Sequence, residues 1–270
     1  MKIIRVFPRR TSMTPNDDYA FVGDPPLLKP EADEVHISVS FTWDIDEGRH
    51  LMSAWKQYYP IVKLSGPAFK ADCNEFNPGF YVKHGVTFTS RGCNNNCPWC
   101  LAREEGKLRT IDIQPGNIIQ DNNVLQCGYP HIGKVVDMLK KQRLIAFSGG
   151  VDSRLLTDRI ADDLRGLSIY QLFFACDTKE AIRPLRKAIF KLSGFRRNQL
   201  RCYVLLAFDS ETISEATERL EQVWGTGCLP FAQLYQPPDR YIHYSKAWRD
   251  LARTWSRPAA TKRLMSVYKA

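Results

Sequence analysis

The sequence predicts an α/β fold: a partial, open parallel β/α barrel preceded by a small N-terminal α/β unit. Three observations predict it. Over residues 81–240, apolar runs rich in Leu, Val, Ile and Phe alternate with helix-length amphipathic segments. Strands of that kind are buried on both faces, and strand–helix–strand alternation builds a parallel sheet through right-handed crossovers. Only five strands are clear there, fewer than a closed eightfold barrel needs. A second, shorter β-α-β pattern occupies residues 1–80.

In the N-terminal unit the apolar segments are KIIRVF, VHISVS and IVKLSG, with a helix-like stretch near Asp46 to Tyr58 between the last two. Proline-rich connections, GDPPLLKP and FNPGF, flank them and cannot continue a ladder or a helix, so a soft boundary falls near Gly79. The barrel segment then reads as strand GVTFT near residue 85, helix His131 to Lys141, strand LIAFS ending at Ser148, and helix Ser153 to about Leu164. It continues with strand IYQLFFA to Ala175, a helix to about Leu192, strand LRCYVLLAF to Phe208, helix Ile213 to about Trp224, and strand LPFAQLY to Tyr235. Residues 241–270 form a basic, aromatic tail with a last helix from about Ser245 to Trp255. Chemistry is expected at the carboxyl ends of the strands, where such folds collect their loops.

Composition excludes several classes. With 44% hydrophobic and 25% charged residues the chain is of ordinary globular type and is expected to fold throughout. No run approaches the ~20 apolar residues of a membrane span, and the start MKIIRVFPRR lacks a signal-peptide core, so no membrane association and a cytoplasmic location are expected. The formal net charge is +9. Residues 181–208 carry seven Lys or Arg and no carboxylate, from Arg183 through Arg201. Residues 239–270 carry eight basic against two acidic residues, interleaved with Tyr241, Tyr244, Trp248, Trp255 and Tyr268. Such surface suits nucleic acid or another polyanion. A solvated helix face whose basic stems cover apolar surface reads equally well.

Eight cysteines in a reducing compartment point to metal or redox chemistry rather than disulfides. Three are grouped, in TSRGCNNNCPWC: Cys93, Cys97 and Cys100, on the loop after the first barrel strand. Three thiolates satisfy three irons of a four-iron cube and leave one iron open, as a catalytic metal site requires. A zinc knuckle is the alternative, but His84 and His131 do not stand at a usual zinc spacing. Cys73, Cys127, Cys176, Cys202 and Cys228 lie far apart and read as small buried hydrophobes.

The cysteine spacing, with Trp99 just before the last cysteine, resembles the signature of the radical S-adenosylmethionine (radical SAM) superfamily. The resemblance implies a [4Fe-4S] cluster on Cys93, Cys97 and Cys100, whose open iron binds the methionine moiety of S-adenosyl-L-methionine. An electron from the cluster then gives a 5′-deoxyadenosyl radical that abstracts hydrogen from the substrate. It also implies a flavodoxin- or ferredoxin-like electron donor, and a cofactor contact for Trp99. Gly149 and Gly150 in FSGGVDSRLL, read as opening the turn from the second strand into a helix, match the family's glycine-rich element beside the methionine amino group. Val151 follows them where the family often has a glutamate, leaving the role of Asp152 open.

Taken alone, SGGVDS also reads as the phosphate loop of an ATP pyrophosphatase. A non-catalytic iron-sulfur or zinc protein that binds nucleic acid is a third reading. Asp177, just past the third strand, stands where a carboxylate could bind a ribose hydroxyl or cap the next helix. Asp209, Glu211, Gln233 and Tyr235 are weaker candidates at the same end, and no catalytic side chain is assigned. The segment from Glu104 to Cys127 loosely resembles the linker of the branch containing methylthiotransferases and cobalamin-associated enzymes. Residues 1–80 then read as a truncated, cofactor-free relative of that branch's cobalamin unit, because no Asp-x-His-x-x-Gly motif is present.

Overall fold

The structure, a computed structural model, describes residues 1–69 and 76–267. Cys73 and Tyr268 lie outside them. The chain divides into two compact units, one of Met1–Val86 with Pro237–Tyr241 and one of Thr87–Gln236 with Ile242–Ala270. Among the described residues no helix is long and apolar enough to cross a membrane.

The first unit holds a four-stranded sheet of β1 (Ile3–Phe7), β2 (Ala20–Val22), β3 (Glu34–Ser38) and β4 (Val62–Ser65), ordered β2–β1–β3–β4 and parallel throughout. Helix α1 (Ile45–Lys56) forms the β3–β4 crossover. It buries Leu51 and Trp55, one turn apart, against Ile4, Val6, Val35 and Ile37, the i, i+4 stripe that an amphipathic helix turns toward its core. The short strand β2 has no counterpart in the sequence reading.

From the boundary at Val86 onward the chain forms β5 (Val86–Thr87), β6 (Ser90–Arg91), β7 (Arg109–Thr110) and β8 (Ile118–Ile119). There follow α2 (Tyr129–Leu139), β9 (Ile145–Val151), α3 (Asp158–Arg165), β10 (Ile169–Ala175), α4 (Ile182–Lys191), β11 (Leu200–Leu206), α5 (Ile213–Gly225) and β12 (Leu229–Leu234). Helices α6 (Lys246–Ser256) and α7 (Pro258–Val267) close the chain. Six strands form one sheet in the order β5–β8–β9–β10–β11–β12, and the pairings from β8 to β12 are parallel.

The helices share one side of this sheet. Ile132, Val135 and Leu139 of α2, Ile160 and Leu164 of α3, Leu185 of α4, Leu220 and Val223 of α5 and Trp255 of α6 all join a single core with Phe147, Leu172, Phe174, Cys202, Val204 and Leu206. Side chains alternate along a strand, and registered neighbours share a face. The intervening residues Phe173, Arg201, Tyr203 and Phe231 therefore belong to the opposite face. Strand order that never reverses, with every helix on one side, follows from repeating one right-handed crossover in one direction.

Four expectations need correction. The two-residue strand β8 lies between β5 and β9, so the glycine-bearing strand is third in the sheet and not second. Strand β9 does not end at Ser148 but runs through Gly149 and Gly150 to Val151. No α-helix starts at Ser153: a single 3-10 turn, Ser153–Leu155, precedes α3, which starts at Asp158 behind the N-cap Thr157. The tail carries two helices, broken where Arg257 turns extended before Pro258, as the residue before proline tends to do.

Candidate functional site

The cysteine loop is closed by an antiparallel pair, Ser90 opposite Thr110 and Arg91 opposite Arg109. Gly92 turns the chain with φ +75°, and a Cβ there would stand 2.5 Å from the Lys107 carbonyl oxygen. Inside the loop the Cys93 N–H donates to the Gly106 carbonyl (3.3 Å), the Asn95 N–H to the Cys93 Sγ (3.4 Å) and the Cys100 N–H to the Cys97 carbonyl (3.1 Å). All three thiols are half-buried. Burial pushes up the pKa of Cys97, and the charges of Cys100, Asp177 and Cys93 add to it while Arg154 opposes. Burial pushes Cys100 up as well, with Cys93, Asp177 and Glu105 adding and a backbone hydrogen bond from Ala102 opposing. The thiols thus lie within electrostatic reach of one another and of Asp177.

Two tethers fix this loop to neighbouring strand ends. Asn95 Nδ2 donates to Asp152 Oδ2 (3.1 Å), and Asp152 also receives the Arg154 guanidinium and the Arg154 N–H. Burial raises the Asp152 pKa, but the hydrogen bonds from Arg154 and Asn95 outweigh it and hold the carboxyl below its ordinary range. At the end of β10, Asp177 Oδ1 accepts the Leu205 N–H (2.9 Å), and the Trp99 side chain donates to the same carboxyl. Burial raises the Asp177 pKa against those bonds and the charge of Arg219. Asp177 is therefore a strut between β11 and the cysteine loop, not the helix cap considered from sequence. Trp99 also meets Phe208 edge-on at 5.2 Å, and Phe208 meets Tyr235 at 5.0 Å.

The glycines differ from each other. A Cβ on Gly149 would lie 1.9 Å from the Asp121 carbonyl oxygen, so Gly149 allows close packing of β9 against the chain after β8. Gly150, at φ +90°, would present its Cβ to nothing nearer than the Tyr203 ring at 3.8 Å. Glu211 is absorbed structurally: it pairs with Arg219 and accepts the Ala207 N–H. Among the described residues the side chains of Asp209 and Gln233 make no hydrogen bond or ion pair.

Asp121 is the residue that sequence reasoning missed. It is 1% exposed. Its Oδ1 accepts the Thr89 N–H (2.6 Å), and its Oδ2 accepts the hydroxyls of Thr89 (2.6 Å) and Ser90 (2.7 Å). Gln126, five residues on, accepts the Asn94 N–H (2.8 Å). The chain from 121 to 126 therefore grips both ends of the turn that carries Cys93. Replacement Asp121→Ala would leave three buried donors unpaired and is expected to cost about 3 kcal/mol. In thermal unfolding its midpoint should fall by roughly 6–12 °C; a fall under ~2 °C would count against the grip.

Among the described residues no group of three or more His, Cys, Asp or Glu side chains is gathered closely enough to hold a metal ion. The donor set nonetheless fits an iron-sulfur cluster in its chemistry, three thiols on one short loop. Among the described residues Arg91 Nε, on the strand that leads into this loop, is buried without a partner. Cys176, Cys202 and Cys228 are buried as expected, and Cys127 is half-buried beside Ser90.

Of the basic stretch, Arg183, Arg186, Lys187 and Arg196 are exposed, whereas Lys191 pairs with Asp158 and Arg197 stacks on Trp224. Arg201 is not surface at all, being 7% exposed. Compared with known proteins, the chain matches no family model, no curated protein and no solved structure.

Proposed function

We propose that this chain is a radical SAM enzyme built on a partial β/α barrel, with a [4Fe-4S] cluster on Cys93, Cys97 and Cys100 and S-adenosyl-L-methionine as co-substrate. The observation that carries the reading is the C-x3-C-x2-C loop after the first strand of a parallel sheet wound in one direction. A sheet so wound, with its helix layer on one side, is the arrangement from which a barrel is built, whereas a doubly wound sheet reverses its strand order. When bound, the cluster and S-adenosyl-L-methionine supply a 5′-deoxyadenosyl radical for hydrogen abstraction.

The chain's own residues hold and shield that chemistry. Three thiolates ligate three irons and leave the fourth for the co-substrate. The Asn95–Asp152 and Trp99–Asp177 tethers fix the loop relative to β9 and β10. Arg154 puts a positive charge near Cys97 that opposes the upward push of burial on that thiol. Gly150, with no side chain, would let a ligand approach its backbone beside the Tyr203 ring. A nucleic-acid base or nucleotide is the substrate class that the exposed Arg183, Arg186 and Lys187 of α4 favour. The electron donor would be flavodoxin- or ferredoxin-like.

The test is anaerobic purification with iron and sulfide analysis, then dithionite reduction with S-adenosyl-L-methionine and chromatography for 5′-deoxyadenosine. About four irons per chain and 5′-deoxyadenosine formation are expected. Zinc in place of iron, or an intact cluster that never cleaves S-adenosyl-L-methionine, would overturn the reading.

A further inference from the structure

We propose that Arg201 anchors a binding position for an oxyanion carried on a flat apolar frame, on the face of the second unit's sheet opposite its helices. Three arginines are buried among the described residues: Arg5, Arg201 and Arg219. Arg5 pairs with Asp17 and donates to the Phe80 carbonyl. Arg219 pairs with Glu211 and donates to the carbonyls of Cys176 and Leu205. Arg201 has no carboxylate and no hydrogen-bond acceptor among the described residues, and its Nε is orphaned.

What Arg201 does have is aromatic surface. Its guanidinium lies 5.4 Å from the Phe173 ring centre and 5.5 Å from that of Phe231. Phe173, Tyr203 and Phe231 come from three adjacent strands and pack on one another at 4.6 to 6.1 Å. Cation–π contact returns only a fraction of the solvation that an arginine loses on burial. Burial accordingly pushes the Arg201 pKa down, and no carboxylate opposes it. An uncompensated cation in an aromatic corner is complementary to an oxyanion, carboxylate or phosphate, that the planar guanidinium fork can grip while a flat frame lies on the rings.

The surface runs on toward the cysteine loop. Tyr203 stands two residues along β11 from Arg201, hydrogen-bonds the Ser148 carbonyl (2.8 Å) and faces Gly150. A ligand anchored at Arg201 would therefore extend along the sheet face toward the end that carries the tethered loop. Its identification as the substrate rests on the radical SAM reading; the binding position itself does not.

The test uses the full-length protein, purified anaerobically and kept free of S-adenosyl-L-methionine, with phenyl phosphate, benzoate and inorganic phosphate as probes. Calorimetry and thermal unfolding compare wild type with Arg201→Met and Arg201→Lys. Phenyl phosphate or benzoate should raise the wild-type midpoint, and the better of the two identifies the oxyanion. Arg201→Met should weaken that binding about tenfold or more. Without any probe Arg201→Met should unfold no lower than wild type, because it removes an unpaired buried charge. Should that variant not fold, Arg201→Lys, which lacks the planar fork, is read for the same loss. No binding by any probe, or wild-type affinity in the variant that is read, would overturn the proposal. Inorganic phosphate binding as tightly as phenyl phosphate would overturn the flat frame. Anion binding at Arg201 with no 5′-deoxyadenosine formed would sink the radical reading and leave this position standing.

Discussion

Replacing any one of Cys93, Cys97 or Cys100 by alanine is expected to remove nearly all bound iron and to abolish 5′-deoxyadenosine formation. Each thiolate would satisfy a different iron, so loss of one leaves an unsatisfied iron in a half-buried loop. The contrast is Cys228→Ala. Cys228 is fully buried in the apolar core of the second unit, where burial pushes its thiol up to about 12. Folded Cys228→Ala protein should keep the wild-type iron content. The measurement is iron and sulfide per folded chain after anaerobic reconstitution, and equal iron loss in all four variants would sink the ligand assignment.

Gly149→Ala is expected to cost about 3 kcal/mol, at the upper end of what forced packing costs, because the new methyl meets backbone rather than a movable side chain. Its nearest neighbours would be the Asp121 carbonyl oxygen at 1.9 Å and the Gln120 carbonyl carbon at 2.8 Å. Relief requires β9 to part from the chain after β8, the same chain that holds Thr89 and Ser90 through Asp121. Unfolding midpoints should fall by roughly 6–12 °C. Gly150→Ala strains a residue at φ +90° but meets only the Tyr203 ring, at an ordinary contact distance of 3.8 Å, and should cost only about 1–2 kcal/mol. Denaturant unfolding of the two variants checks this, and a Gly149→Ala loss no larger than that of Gly150→Ala would refute the packing role.

The second unit shows where sequence pattern suffices. Strands β9 to β12 and helices α2 to α5 declare themselves because each carries its own apolar period, six or seven residues for these strands and an i, i+3, i+4 stripe for the helices. Strand β8 does not. Two residues, Ile118 and Ile119, have no period, and they become a strand only by pairing with Ala146 and Phe147. Missing it moved the glycine-bearing strand from third to second place. Gly149 itself could not be read, since a sequence does not say whether a glycine admits a ligand or another backbone.

The candidate site divides in the same way. Cys93, Cys97 and Cys100 are legible because ligand spacing within one loop is a local property. Asp121 grips residues 31 and 32 positions earlier, and Asp177 joins Trp99 to Leu205. A lone carboxylate in a polar stretch gives no sign of such partners. Arg201 did leave a trace, a charge inside the apolar run LRCYVLLAF, but composition filed it with the basic surface.

By itself the sequence determined the α/β class, the alternation of the larger unit and the grouping of three thiols, all of which depend on residues close along the chain. Only the tertiary structure decided the strand order, the single helix layer, the tethers of the cysteine loop and the isolation of Arg201. Each of those depends on which distant groups are brought into contact, and contact between distant groups is set by the packing of the whole unit.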